Sequence, residues 1–298
     1  MPSVDVNFNG SLFTLKYDEA VDAAAVQVHS GSFEPPLPLL ISVILNHFGG
    51  TFLDVGANSG VYCLVAASIA KCKRIIAFEP LPHAYETLKR NIEDNGLTAR
   101  VDLRQVGLSD RTGTAKLSIP DPGHGLIQTS ATLGAPFYAV HSSLDIAISR
   151  LDDIALPPDI TVIKVDIEGH EPAFLRGAKD TIDKNRPIIF GEVLSIANFA
   201  ELSAFLSEVG YVDFRLRPDM VLHDASVVFD NEAWNHAWVP REQVRFFIWA
   251  CEAFKIPVYL RHDVEAWRSP SFRMPPRVRR WVDTVRRRLA RPAARPGR

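Results

Sequence analysis

Apolar residues along this chain come in short unbroken runs separated by stretches of helical spacing, the alternation that a doubly wound parallel sheet requires. Residues 8–17 predict a small pair of strands, and residues 37–48 a helix stopped by Gly49-Gly50. Repeating units follow. A strand at 51–55 leads to a helix at 59–70, and a strand at 74–78 leads to a helix at 82–94, whose Tyr85, Leu88 and Ile92 face inward and whose end is marked by Asn95-Gly96. A third strand is expected at 101–106, with Val101, Leu103 and Gln105 on one face. Residues 111–150 break the rhythm: 114–119 and 143–148 read as strands around a Pro-, Gly-, Ser- and Thr-rich loop of the length typical of a lid or a disordered segment. Then come a strand at 161–166, a helix opened by Glu171-Pro172 that buries Phe174, Leu175, Ala178 and Ile182, a strand at 187–193, a helix at 200–209, a strand at 211–216 and a last strand near 236–239. No internal repeat or heptad run is present.

The run Phe52-Leu53-Asp54-Val55-Gly56-Ala57-Asn58-Ser59-Gly60 takes an apolar strand ending in a carboxylate straight into a small-residue turn and a helix, the layout of a nucleotide-cofactor pocket. Gly56 and Gly60 permit a sharp turn and close approach of the backbone to a ligand, and Asn58 tolerates left-handed geometry. Glu79, followed by Pro80, ends the second strand 25 positions after Asp54, where dinucleotide folds carry the acid that binds ribose hydroxyls. Two ligands compete for such a pocket. A nicotinamide or flavin dinucleotide needs a phosphate site with Gly-x-Gly-x-x-Gly spacing, which this chain lacks. S-adenosylmethionine carries an ammonium and a sulfonium, which suit Asp54, so the methyl donor is favoured.

Composition narrows the class. With 298 residues and 47% hydrophobic content the chain can bury a large core. No apolar stretch reaches the ~18 residues that span a bilayer, residues 1–9 lack the features of a secretory signal, and a cytoplasmic location is expected. Cys63, Cys72 and Cys251 fit neither a disulfide framework nor a zinc site, and core packing is their expected role. The net charge of −2 hides an asymmetry: residues 271–298 hold ten arginines against Asp283, or +9, leaving −11 for residues 1–270. A basic stripe confined to one end makes no case for nucleic acid. Within it Val278, Trp281, Val282, Val285 and Leu289 recur at helical spacing, which suits either a helix docked on its own domain or peripheral contact with an anionic membrane.

Asp54-Val55-Gly56-Ala57-Asn58-Ser59-Gly60, Phe78-Glu79-Pro80, Leu151-Asp152-Asp153-Ile154, Lys164 to Glu171 with Leu175-Arg176-Gly177-Ala178, and Pro187 to Glu192 together resemble the FkbM family of S-adenosylmethionine-dependent methyltransferases over roughly residues 33–240. The resemblance implies an α/β fold of the class I methyltransferase type: a Rossmann-like, seven-stranded, mostly parallel sheet with a reversed last strand and helices on both faces. The expected organisation is an N-terminal extension at 1–48, the methyltransferase domain at 49–256 and a basic extension at 257–298. The acceptor it implies is a hydroxyl on a small molecule, sugar or glycan, lipid or polyketide-like compound.

Carried over by position, Asp54, Gly56, Asn58, Ser59 and Gly60 would hold the methionine end, Glu79 and Pro80 the ribose, and Val106, Gly107 and Asp110 the adenine; Ser109 to Gly113 also reads as an ordinary turn. Asp166 and Glu192 end the fourth and fifth strands, where ligands gather in such a sheet. Asp166 is the first candidate for the base, His170 a second, and Glu192 either binds acceptor or pairs with Lys164 or an arginine. Asp152 and Asp153 suit a turn or a cap. A magnesium ion gripped by Asp166, Glu192 and another oxygen is conceivable, but no spacing demands it and no metal is assigned. The competing functions are a cofactor-binding accessory protein without catalysis and a nicotinamide-dependent oxidoreductase.

Overall fold

Two strands joined by Asn9-Gly10 open the chain in a computed structural model that describes residues 2–18, 22–30, 33–120, 131–134 and 140–261. β1 (Ser3–Phe8) and β2 (Ser11–Lys16) pair antiparallel with Phe8 opposite Ser11. The pair begins earlier than the expected 8–17 because Asn9 and Gly10, both left-handed at φ 53° and 91°, form the two-residue hairpin loop. Next come α1 (Ala23–Ser30), which the apolar pattern did not show, and α2 (Leu37–Phe48), ended as expected by Gly49 at φ 72°.

The repeating units follow closely. β3 (Gly50–Val55), buried along its whole length, leads to α3 (Val61–Ala67), and β4 (Cys72–Phe78) leads to α4 (Pro82–Asp94). Leu88 and Ile92 face the core from α4 with Ala84 and Thr87, whereas Tyr85 is only partly covered. β5 (Val101–Arg104) stops before Gln105, because the chain turns at Val106, whose N–H donates to the Arg104 carbonyl. It then joins a second sheet of β6 (Gly107–Leu108), β7 (Gly113–Pro120) and β8 (Val140–Ser149), in the order β6-β8-β7. Residues 121–130 and 135–139, which make up most of the expected loop, lie outside the described residues.

After a short 3-10 turn, Leu151–Asp153, β9 (Ile160–Val165) returns to the main sheet. The single helix expected after Glu171 is two, α5 (Glu171–Gly177) and α6 (Lys179–Asn185), and together they bury Phe174, Leu175, Ala178 and Ile182. The first amides of α6 are met from outside: Asp152 accepts from the N–H groups of Asp180 and Thr181, at 3.2 and 2.9 Å, the cap role its place suggested. β10 (Ile188–Glu192), α7 (Phe199–Glu208), β11 (Tyr211–Leu216), β12 (Val221–Leu222), β13 (Asn235–Pro240), α8 (Val244–Ala253) and β14 (Val258–Tyr259) complete the described chain.

The main sheet has the strand order β14-β12-β11-β13-β10-β9-β3-β4-β5. Its seven strands from β5 to β11 are the Rossmann-like sheet: β5, β4, β3, β9 and β10 run parallel, and β13 lies antiparallel between β10 and β11. The short β12 and β14 widen it to nine. Alternate strand residues feed two cores, Phe52, Ile75, Val162 and Phe190 packing toward α2, α3 and α8, and Leu53, Ile76, Ile163 and Ile189 toward α5, α6 and α7. Residues of the 1–48 extension share the first core, and β14 pairs inside the sheet beyond residue 256, so the described chain folds around one sheet without a break at 48 or 256. All three cysteines are buried and unpaired by disulfides. No helix among the described residues is long and apolar enough to cross a membrane. The helix expected at 278–289 lies outside the described residues.

Candidate active site

Chain direction reverses between β3 and β9: from β3 the chain moves to β4 on one side, then returns to place β9 on the other. Parallel sheets bind ligands at such a switch point, beyond the carboxyl ends of the strands. A cavity of about 330 Å³ opens there, with walls from Gly56, Asn58, Ser59, Glu79, Pro80, Gly107, Asp166, His170 and Glu192.

The turn after β3 forms its floor. Gly56 and Ala57 donate to the Phe78 carbonyl at 2.9 and 3.0 Å, and the Asp166 N–H donates to the Val55 carbonyl at 3.0 Å, which pins the turn between β4 and β9. A Cβ at Gly56, whose φ is 79°, would lie 1.9 Å from the Asp166 carbonyl oxygen, so no other residue fits this crossing. Asn58 is left-handed at φ 48°. The Asn58 Oδ1 and the fully buried Ser59 Oγ have no hydrogen-bond partner, which marks a polar floor built for a ligand. Asn91 holds the turn from α4, its Nδ2 donating to the Ser59 carbonyl at 2.8 Å and to the Lys16 carbonyl at 2.9 Å.

Glu79 is buried, and its two oxygens accept from the N–H groups of Asn58 at 2.9 Å and Leu81 at 2.8 Å. Burial pushes its pKa up to about 7 against those two hydrogen bonds. The carboxylate thus shapes the turn as well as facing the cavity, a structural role that its position in the sequence did not reveal.

Three expected residues are not brought to the cavity wall. Asp54 is fully buried behind the turn, where it accepts from the Cys63 thiol at 3.1 Å and burial pushes its pKa up to about 6. Gly60 starts α3, and a Cβ there would meet Leu88 Cδ1 at 2.6 Å, so its need is close helix packing. Asp110 points away to Arg176, 2.8 Å from Nη2, and this hydrogen bond holds its carboxyl below the usual range. The carboxylate expected near adenine is therefore spent in an ion pair, as the turn reading allowed.

On the opposite wall, Asp166, Glu168 and Glu192 converge from the end of β9, the loop after it and the end of β10. Lys164, 1% exposed, places Nζ 3.0 Å from Asp166 Oδ2. Burial would lower the Lys164 pKa, yet Asp166, Glu34 and Glu192 together raise it above its ordinary value. The lysine is thus the partner of Asp166, and the buried Glu192 Oε2 has none. Burial, with Asp166 close by, pushes Glu168 up to about 9 and Glu192 well above the usual carboxylate range. One oxygen from each of Asp166, Glu168 and Glu192 lies within 4.8 Å of the others, near enough to share a hard cation, although Lys164 already supplies positive charge there. His170 Nε2 sits 2.9 Å from Ser109 Oγ, and burial lowers its pKa.

The structure adds residues to which no site role was assigned from the sequence, among them Glu34 of the Glu34-Pro35 entry segment. Glu34 hydrogen-bonds the Tyr62 hydroxyl, and Lys164 Nζ lies 5.4 Å from the centre of the Tyr62 ring. Thr132 donates from Oγ1 to the Glu168 carbonyl at 2.7 Å, tying the loop between β7 and β8 to the acidic wall. Trp234 stands at the rim, 46% exposed. These contacts join positions up to about 100 residues apart, and of the residues they join only Lys164 and Glu168 lie inside a motif of the acidic loop.

Comparison with known proteins places this geometry. The sequence profile of the methyltransferase FkbM domain matches residues 54–212, more than half of the chain. Methyltransferase sdnD of Sordaria araneosa is 28% identical over 155 residues, covering 43% of this chain and 60% of the relative. The hexuronic acid methyltransferase AglP of Haloferax volcanii is 27% identical over 158 residues, covering 52% of this chain and 60% of the relative. The chain therefore spans about three fifths of the length of these two relatives. Among solved structures, the FkbM methyltransferase of Methylobacillus flagellatus KT matches with 19% identity and a TM-score of 0.44 over 64% of this chain and 43% of that one. The profile match over the turn, the acidic loop and the strands that carry them shows that the chain belongs to the FkbM methyltransferase domain family.

Proposed function

We propose that the protein transfers a methyl group from S-adenosylmethionine to a hydroxyl of a small-molecule, sugar, glycan, lipid or polyketide-like acceptor. The observation that carries this reading is the switch-point cavity, where a turn with two unpartnered polar atoms faces an acidic wall. An ammonium and a sulfonium suit such a wall, and a pyrophosphate would be repelled by it.

The donor supplies a methyl group activated on a positively charged sulfur; the acceptor oxygen bonds to that carbon as the carbon–sulfur bond breaks, and the hydroxyl proton passes to a base. Gly56, Asn58 and Ser59 would hold the methionine end, Glu79 the ribose, and Gly107 the adenine side. Much of the acceleration comes from alignment, which rigid supports such as the Asn91 and Thr132 contacts favour. Asp166 takes the proton, positioned by its ion pair with Lys164. Glu168 and Glu192 bind further acceptor hydroxyls, and His170, tethered at Ser109, closes that side of the cavity.

Calorimetric titration with S-adenosylhomocysteine tests the reading. Binding in the micromolar range is expected, weakened at least tenfold in Glu79→Ala, along with thermal stabilisation by either sulfur cofactor and none by NAD. Stabilisation by NAD alone would exclude methyl transfer.

A further inference from the structure

The charge of the cavity wall bears on the acceptor as well as on the donor. Among its described residues are five acids, Glu34, Glu79, Asp166, Glu168 and Glu192, and neither lysine nor arginine. Lys164 lies behind the wall, its ammonium engaged with Asp166. His170 has a lowered pKa through burial and adds no positive charge at neutral pH.

The second observation is Trp234. An indole left 46% exposed beside a cavity of this polarity offers a flat apolar face next to hydrogen-bonding groups. Its backbone is firmly held: the Trp234 carbonyl accepts from the Val193 N–H at 2.8 Å, and the next residue, Asn235, pairs with Glu192 across β13 and β10. Asp230, four residues earlier, is clamped by Arg215 and Arg217, both at 2.9 Å, so the segment that presents the indole is braced from β11. Glu192 and Trp234 thus border the same end of the cavity on adjoining backbone.

We infer that the cavity selects its acceptor by charge and by a ring face: the acceptor is an uncharged or amine-bearing hydroxylated ring that lies on the Trp234 indole, and rings carrying a carboxylate or phosphate are rejected. This inference rests on reading the cavity as a methyl-transfer site. Ring hydroxyls and amines find carboxyl groups and the indole face there, whereas a carboxylate or phosphate finds no lysine or arginine on the described wall and only the ammonium already engaged with Asp166 behind it.

The test uses the full chain with S-adenosylmethionine and measures S-adenosylhomocysteine formed from methyl glucosides, galactosides and mannosides, each as the neutral hexoside, the 2-amino-2-deoxyhexoside and the hexuronide. Neutral or amino members are expected to turn over with kcat/KM at least tenfold above the matching hexuronide. Trp234→Ala should raise KM about three- to tenfold with little change in kcat, and Trp234→Phe should restore most of the loss. Preference for hexuronides, or an unchanged KM in Trp234→Ala, overturns the inference. So does failure to methylate any ring compound by protein that binds S-adenosylhomocysteine, which leaves the donor site standing; failure to bind that cofactor removes the methyl-transfer reading itself.

Discussion

Asp166 carries the sharpest expectation at the level of single residues. Asp166→Asn keeps the shape of the side chain and removes the proton acceptor, so turnover should fall by about 10²- to 10⁴-fold. The variant also takes from the buried Lys164 its 3.0 Å ion pair, so some thermal stability is lost and the assay belongs well below the unfolding midpoint. Circular dichroism should show a native fold, and unchanged turnover would take Asp166 out of the mechanism. Sequence motifs pointed to Asp166, Glu192 and Glu79 because each ends a strand. They did not reveal that Lys164 serves Asp166 two residues on, leaving Glu192 Oε2 without a partner, or that Glu79 spends both oxygens on the turn, since each depends on how the strand ends and the turn after β3 are placed around the cavity.

Helix and strand ends decide what reaches the cavity. The end of β3 succeeds as a binding turn because Gly56 allows β9 to cross it at close range. The start of α6 shows a purely structural use of acidic residues: Asp152 supplies the acceptor for two amides that the helix leaves open. Asp152→Ala should therefore cost about 1 kcal/mol in chemical denaturation while leaving cofactor affinity unchanged. A change in affinity would place Asp152 in the site. Element boundaries were legible where punctuation is strong, as at Pro82 and at Gly49, and α4 and α2 run over the residues expected. They were misread where one helix became α5 and α6, and where α8 was not anticipated.

Across the whole molecule, buried acids link stability to pH. Burial moves Glu79 and Glu171 from 4.5 to about 7 and Asp54 from 3.8 to about 6. A carboxyl with a raised pKa in the folded state stabilises that state fully below its unfolded value, and the contribution is lost as pH rises through the folded value. His47 and His170, lowered by burial, act in the opposite sense and favour folding above their ordinary 6.5. Above about pH 6.5 the histidines no longer oppose the acids, so the unfolding midpoint of the ligand-free protein should fall between about pH 6.5 and 8.5. A flat or rising midpoint over that range would contradict the burial of these carboxyls.

Local chemistry written along the chain was enough to settle the alternation of strands and helices, the turn at Gly56 to Gly60 and the strand-end acids, because spacing, glycine and chain termination act over a few residues. The choice among those acids was made by folding. Folding sets Asp54 behind the turn, brings Glu34 to Tyr62 and the Lys164–Asp166 pair beside Glu168 and Glu192, and spends Asp110 on Arg176. It also stands Trp234 beside Glu192 at the rim. Charge, burial and reach act through space, and residues far apart in the chain share a site once β3, β4, β9, β10 and β13 lie side by side.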